Sequence, residues 1–197
     1  MNLVQRVKGI LLSPQTEWQV IDAEPTTPAE LYRSYIAPLA AIGPIAQIIG
    51  YSVFGITVPF VGTYRVPIGS AITSALVAYI LTLAGTYVLA LIIDGLAPTF
   101  SGQRSQIQAL KVAAYSSTAS WLAGIFALIP GLRLLAILGL YSLYLLYVGL
   151  PIVMKSPREK AMGYTLVVIL AAIVLFMIIG VIASRFMTVP RAGMTMP

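Results

Sequence analysis

Long runs without a charged residue constrain this chain more than any other feature. One such run covers residues 66–93, and another covers residues 164–183. About 20 apolar residues in a helix cross the ~30 Å hydrocarbon core of a bilayer, so runs of this length predict transmembrane helices. Only 9% of the 197 residues are charged and 59% are hydrophobic, whereas soluble domains are about 25% charged. The chain is therefore predicted to be an all-α integral membrane protein.

Five apolar stretches are long enough to be transmembrane helices. They lie near residues 35–56, 68–93, 112–129, 134–153 and 164–183. Together they define a predicted transmembrane domain over residues 35–183, preceded by an N-terminal region (1–34) and followed by a short tail (184–197). Pro38 and Pro44 lie inside the first stretch, and proline removes a helix hydrogen bond, so this span is expected to be kinked.

Residues 1–34 carry the signals of short helices rather than of a membrane span. One predicted helical face carries Leu3, Val4, Val7, Ile10 and Leu11. Because Arg6 falls off this face, the pattern predicts an amphipathic helix, lying either in the membrane interface or against the protein itself. Trp18 follows, and tryptophan is favoured at the membrane interface. Thr27 and Glu30 form a capping box that is predicted to begin the helix of the first span.

Lysine and arginine are divided unequally between the two sides of the membrane. Eight of the 12 lie before the first span or in the second and fourth connections. Cytoplasmic segments carry the excess of Lys and Arg, so the N-terminus is predicted to be cytoplasmic and the C-terminus external. Topology and lipid headgroups thus account for the net charge of +6. No nucleic-acid partner is expected, because no basic face with interleaved aromatic residues is present.

The absence of Cys and His removes most catalytic chemistry from the sequence. Without them, the chain has no imidazole base, no thiol nucleophile, no disulfide and none of the usual soft metal ligands. Only six Asp and Glu residues are present, and no second acid lies at the depth of Asp94 to form a two-carboxylate site. The chain is therefore predicted not to be an enzyme and to bind no cofactor and no metal.

Asp94 is the most informative polar residue, because it stands at the end of the second predicted span. A carboxylate there opposes the helix dipole and is costly near hydrocarbon, so it is expected to pair with a cation. The candidate partners are Arg104, Lys111, Lys155 and Arg158. A structural ion pair and a functional membrane acid are both consistent with this position.

Two further patterns fall inside the predicted spans. In the fourth span, tyrosine recurs every three residues, at Tyr141, Tyr144 and Tyr147. Buried tyrosine hydroxyls need partners, which predicts an interhelical hydrogen-bond layer, with a ligand cavity as the alternative. In the third span, small residues recur every four residues, at Ser116, Ser120 and Gly124. This spacing predicts close helix packing, with a polar permeation path as the alternative.

Several sequence blocks resemble the bacterial branch of the Ypt-interacting-protein (YIP) family. They read ALIIDGLAPTF from residue 90, ALKVAAYS from residue 109, IPG from residue 129, LYSLYLLYVGLP from residue 140, and MK from residue 154. The resemblance covers about residues 30–185 and implies a five-span bundle in the bacterial inner membrane with a cytoplasmic N-terminus. Eukaryotic members bind small GTPases and each other. Their long acidic and aromatic cytoplasmic arm has no counterpart in residues 1–34, so GTPase binding is not implied.

Two functional hypotheses follow. The first is a non-enzymatic membrane scaffold or adaptor of the YIP type, whose partners are the lipid bilayer and either another membrane protein or a second copy of the chain. The alternative is a small transporter or lipid-handling protein that uses Asp94, Gln47 and the Tyr/Ser layer. Gln47 lies beside the Pro44 kink, and broken helices often line transport sites.

Overall fold

The computed structural model describes residues 2–58 and 62–186, and most of them are helical. Two short helices begin the chain, α1 (Leu3–Leu12) and α2 (Pro14–Ala23). The remaining helices are α3 (Pro28–Phe54), α4 (Ile68–Leu96), α5 (Gln106–Ser116), α6 (Thr118–Ala123), α7 (Tyr141–Val153) and α8 (Arg158–Phe186). Helical turns of the 3₁₀ type cover Ala97–Phe100, Gly124–Leu128 and Pro130–Leu140. From residue 187 onward, the predicted tail 184–197 lies outside the described residues.

Four helical segments in the described part of the chain are long and apolar enough to cross a membrane. They are Pro28–Phe54, Ile68–Phe100, Leu134–Val153 and Arg158–Ser184. These segments match four of the five predicted spans. The predicted span 112–129 instead falls on α5, α6 and a 3₁₀ turn, with a break at Ser117. Ser117 Oγ donates to the Ala113 carbonyl at 2.7 Å, a bond that bends helices.

The first span is irregular, as its prolines predict. It contains two π-helical turns, Tyr32–Ile36 and Gly50–Phe54. Its start is well defined, because the predicted capping box is present: the Thr27 amide donates to Glu30 Oε2 at 2.9 Å, and the Glu30 amide donates to Thr27 Oγ1 at 3.3 Å.

A short antiparallel hairpin joins α3 to α4. Its strands, β1 (Ile56–Val58) and β2 (Gly62–Tyr64), pair Ile56 with Tyr64 and Val58 with Gly62. Gly55 precedes β1 with φ 83, a left-handed conformation that glycine adopts without strain. Apart from this hairpin, the regular structure of the described residues is helical.

Helix α5 forms the centre of the molecule. Residues 109–116 are all buried, and α5 packs against α4 and α7. Helix α8 lies at the periphery, where only 6% of its most apolar segment is buried. This position agrees with the sequence of the fifth predicted span, which is almost entirely Val, Ile, Leu, Ala, Phe and Met.

Helix α4 is longer than the membrane core requires. Its 29 residues span about 44 Å at ~1.5 Å per residue, against ~30 Å of hydrocarbon. Tyr32 Oη donates to the Leu83 carbonyl at 2.8 Å, so Leu83 lies level with the start of α3, where Glu30 and Arg33 are exposed. Asp94 lies about 16 Å further along α4, near the C-terminal end of this helix.

Candidate functional site

Helices α1 and α2, here called the N-terminal cap (residues 3–24), pack onto the bundle. Ile10, Trp18 and Ile21 are buried to 1% exposure or less. Of the two predicted alternatives, the cap therefore docks on the protein itself. Trp18 is covered by protein rather than exposed to lipid, because its ring packs edge-on against Tyr115 with centroids 6.2 Å apart. Gly149 makes room for this ring, since an added Cβ would lie 2.5 Å from it.

A buried arginine holds the two cap helices together. Arg6 is 3% exposed, donates to Glu17 at 2.6 Å and also pairs with Glu24. Its guanidinium lies 5.6 Å from the centroid of the Tyr115 ring, which is cation–π range. The expectation that Arg6 lies off the docked helix face is therefore wrong. Arg6 shares that face with Ile10, one turn further along.

Lys111 joins the cap to the central helix. It is 4% exposed, and its Nζ donates to the carbonyls of Ile21 at 2.8 Å and Glu24 at 2.7 Å. Carbonyls at a helix C-terminus lack helical partners and carry partial negative charge, so the ammonium caps the end of α2. Burial lowers the pKa of Lys111, whereas the charges of Asp22 and Glu24 act to raise it.

Together these residues form the Arg6–Lys111 cluster: Arg6, Glu17, Glu24, Lys111 and Tyr115. A small polar cavity of about 90 Å³ is lined by four of them, Arg6, Glu24, Lys111 and Tyr115, and by Ser34 and Tyr35. A cavity of this size has room for a few water molecules at ~30 Å³ each. The cluster carries fixed charge and satisfied hydrogen bonds, which suits a structural latch.

Asp22 adds a further contact at the edge of the cap. It pairs with Lys155, and Gln108 Nε2 donates to its Oδ1 at 3.1 Å. Two of the four cations expected to pair with Asp94, Lys111 and Lys155, are thus bound to the cap.

The other two, Arg104 and Arg158, are exposed, and across residues 2–58 and 62–186 no salt bridge includes Asp94. Asp94 Oδ1 is buried with no hydrogen-bond partner in the same residues. The expected ion pair is therefore wrong. Asp94 lies near the end of the candidate span Ile68–Phe100 rather than at its middle, and an ionised carboxylate is most costly at the bilayer centre.

The predicted tyrosine layer is reduced to one residue. Tyr141 Oη donates to the Leu11 carbonyl at 3.0 Å, which fastens α7 to the cap. Tyr144 and Tyr147 are 43% and 44% exposed and lie on the outer surface of α7. A tyrosine outside the fourth span forms an interhelical hydrogen bond instead: Tyr35 Oη on α3 and Thr118 Oγ1 on α6 are 2.7 Å apart.

The small residues of the third predicted span pack helices together. Ser120 Oγ donates to the Gly139 carbonyl at 3.0 Å and lies 2.9 Å from Ser142 Oγ. A Cβ added to Gly124 would lie 2.8 Å from Gly43 Cα, so the two backbones touch. The packing prediction is confirmed at Ser120 and Gly124.

Two cavities flank these contacts. The larger, of about 700 Å³, lies between α4, the Ser116–Trp121 region, α7 and α8. The smaller, of about 270 Å³, is lined by Gln47 together with Ser120 and Gly139. Asp94 and the three tyrosines of the fourth span line neither cavity. The residues of the predicted transport site are therefore not brought together. In the described residues, no group of three acidic side chains is placed to hold a metal ion.

Comparison with known proteins identifies relatives over most of the chain. The Yip1 domain model matches residues 8–179. Inner membrane protein YohC from Escherichia coli strain K12 is 27% identical over 166 residues, covering 82% of this chain and 85% of YohC. YohC from Escherichia coli O6:H1 gives the same values. No solved structure matches the chain.

Proposed function

The chain belongs to the Yip1 domain family, and we propose that it is a non-enzymatic scaffold or adaptor of the bacterial inner membrane. In this proposal the N-terminal cap is cytoplasmic and binds another membrane protein or a second copy of the chain. The transmembrane domain, residues 35–183, anchors the cap.

The latched cap is the observation that carries the proposal. The Arg6–Lys111 cluster fixes both cap helices to α5, so their outer face has a defined shape before any partner arrives. A preformed surface loses little conformational entropy on binding. That outer face exposes Val4, Leu12 and Val20. It also carries an open depression of about 540 Å³, lined by Arg6, Thr16, Gln19, Val20, Ala23 and Glu24.

A photo-crosslinking amino acid at Gln19, in native membranes, tests the adaptor role. We expect a discrete protein adduct at Gln19 and only lipid adducts at the control position Val181, which is 60% exposed on α8. The Gln19 adduct should disappear in the Arg6→Met variant, because release of the cap removes the preformed face. Lipid adducts alone at Gln19 would contradict the adaptor role.

We further propose that the chain crosses the membrane five times, with residues 112–129 forming the third crossing, so that Lys111 lies just before it. The Lys and Arg bias supports a cytoplasmic N-terminus and an external C-terminus. A reporter fused after Lys160 should then be cytoplasmic, and one fused after Arg185 should be external. If both reporters are found on the same side, residues 164–183 do not cross the membrane and the five-span topology is wrong.

The alternative, a small transporter or lipid-handling protein, is favoured by the two cavities between the spans. Gln47 lines the smaller cavity, whereas Asp94 lines neither. In proteoliposomes, proton- or cation-coupled flux that is lost in Asp94→Asn without a change in melting temperature would support the transporter and contradict the scaffold.

A further inference from the structure

The larger cavity, here called the inter-span groove, lies between helices that belong to the candidate membrane spans. Its volume of about 700 Å³ is within the ~300–1,000 Å³ range of small-molecule sites. Its wall includes Thr82, Ser117, Trp121, Leu143, Ala172 and Phe176. Three separate segments, Ile68–Phe100, Leu134–Val153 and Arg158–Ser184, contribute to it along with the broken third segment.

The rim of the groove is continuous with the outer apolar surface of the bundle. Leu143, Ile173, Phe176 and Met177 line the groove and are 41–60% exposed. Because they lie on α7 and α8 within candidate spans, this exposed surface faces the acyl chains of the bilayer. The groove therefore opens sideways into hydrocarbon.

The wall presents no charged group, and its hydroxyls are hydrogen-bonded within the protein. All of its lining residues are uncharged. Four of the five hydroxyls on the wall donate to helix carbonyls: Thr82 to Ala78 at 2.8 Å, Ser116 and Ser117 to Ala113 at 3.4 and 2.7 Å, and Ser120 to Gly139 at 3.0 Å. The fifth, Ser142 Oγ, accepts from the Ser120 amide at 3.0 Å. An ion or a charged solute would find no counter-charge in the groove.

An empty groove of this kind is unfavourable. An apolar cavity of about 150 Å³ stays dry and takes up apolar molecules, and the groove is several times larger. Atoms that line an unfilled space lose their dispersion contacts on one side. A flexible hydrocarbon chain that enters from the bilayer restores these contacts without desolvating a polar group.

We propose that the inter-span groove is a binding site for one acyl chain of a membrane phospholipid. The chain enters between α7 and α8 and packs against Trp121 and Ala172. The site is independent of the adaptor role proposed for the cap, which lies outside it.

The tryptophans of the chain provide a direct test, because there are only two. Trp121 lines the groove, whereas Trp18 belongs to the cap and is fully buried. Purified full-length protein in detergent is titrated with phosphatidylcholine that carries brominated acyl chains, which quench nearby tryptophan. We expect quenching that saturates at a low lipid fraction. The Trp121→Phe variant should not show it.

Competition then separates the chain from the headgroup. Unbrominated dioleoylphosphatidylcholine should restore the emission, whereas dihexanoylphosphatidylcholine, with the same headgroup and short chains, should not. Equal competition by both lipids would overturn the proposal, because it would assign binding to the headgroup. Quenching that rises linearly with lipid fraction would also overturn it, because it indicates random contact.

A matched pair of variants locates the site. Ala172→Phe fills the groove and should weaken apparent lipid binding by about fivefold or more. Val174→Phe adds a ring on the exposed face of the same helix, outside the groove, and should bind like the wild type. A folded Ala172→Phe protein with unchanged binding would overturn the proposal. If Ala172→Phe fails to fold, the competition result on the wild-type protein decides.

Discussion

In a water-soluble protein the most hydrophobic helices are usually the most buried, and helices α5 and α8 show the opposite order. Helix α8 lies in the most hydrophobic of the four candidate spans, yet only 6% of its most apolar segment is buried. Helix α5 is short and contains a lysine, yet residues 109–116 are all buried. In a bilayer, lipid tails solvate apolar side chains as well as a protein interior does, so small and polar residues form the helix contacts.

The two helices should also differ in how much each side-chain contact contributes to the free energy of unfolding. Around α5 the contacts are specific, because buried charges and close ring packing each have one satisfactory arrangement. Along α8 the contacts are with fluid lipid, which adapts to a change in side chain. Substitutions near α5 should therefore change the free energy of unfolding strongly, and substitutions on α8 should change it little.

The largest effect is expected at Arg6. Arg6→Met leaves Glu17, whose side chain is 11% exposed, buried without its cation. Removing one partner of a buried ion pair costs about 3–5 kcal/mol. The measurement is the free energy of unfolding in detergent micelles. The matched control is Arg33→Met at an exposed position, which should change stability by less than about 0.5 kcal/mol. Equal losses in the two variants would mean that the cluster does not latch the cap.

A second large effect is expected at Gly149, which α7 presents to Trp18. Because a Cβ there would lie 2.5 Å from the indole ring, Gly149→Ala should destabilise the protein by about 1–3 kcal/mol through overpacking. On α8, a Cβ added to Gly180 meets no atom within 4 Å. Gly180→Ala should therefore be neutral, or stabilising by up to about 1 kcal/mol. Part of the Gly149→Ala loss should be recovered when Trp18→Phe is added, since the two residues touch. A neutral Gly149→Ala would show that the cap does not pack closely on α7.

A pH effect of intermediate size is expected from Lys111. Burial lowers its pKa in the folded protein, so between that pKa and the ordinary value near 10.5 the unfolded state binds more protons. Stability should therefore rise with pH across this window, relative to Lys111→Met, which has no charge to titrate. The measurement is the difference in unfolding free energy between the two proteins from neutral to alkaline pH. A difference that falls with pH would show that the Asp22 and Glu24 carboxylates outweigh burial.

The smallest effect is expected at Asp94. An ion pair at this position would make Asp94→Asn cost about 1–3 kcal/mol. Because no cation contacts Asp94 in the described residues and its charge opposes the helix dipole, we instead expect a change within about 0.5 kcal/mol. Thermal melting in detergent is sufficient to distinguish the two values. A loss above 1 kcal/mol would show that Asp94 has a charged or hydrogen-bonding partner, as the buried polar residues around α5 do.

Features set by local physics could be predicted from the sequence. The capping box at Thr27 and the kinked first span depend on neighbouring residues alone. Ser120 and Gly124 could be predicted because their spacing places small side chains on one helix face. The lipid-facing position of α8 follows from its lack of polar atoms.

The cap contacts could not be predicted in the same way. Lys111 binds main-chain carbonyls, which leave no mark in the sequence. Arg6 was assigned to the polar face because amphipathicity treats every arginine as solvent-facing. One sequence feature did indicate that the cap binds cations. Three of the six carboxylates, Glu17, Asp22 and Glu24, lie within eight residues, and carboxylates so close together are stabilised by nearby Lys or Arg side chains. The pairing of Asp94 could not be predicted, because the end of an apolar run does not show which cations other segments bind, and the cap binds Lys111 and Lys155.

The distances along the chain between the cap and its contacts set an order of assembly. Lys111 lies 90 residues from Ile21, and Tyr141 lies 130 residues from Leu11. Domains form as the chain emerges from the ribosome, N-terminal parts first, so the cap is synthesised long before the helices that cover it. During that interval no protein surface covers Trp18 and Ile10, and the membrane interface is where such side chains lie. The contacts that cover the cap can therefore form only after α5 and α7 have been synthesised.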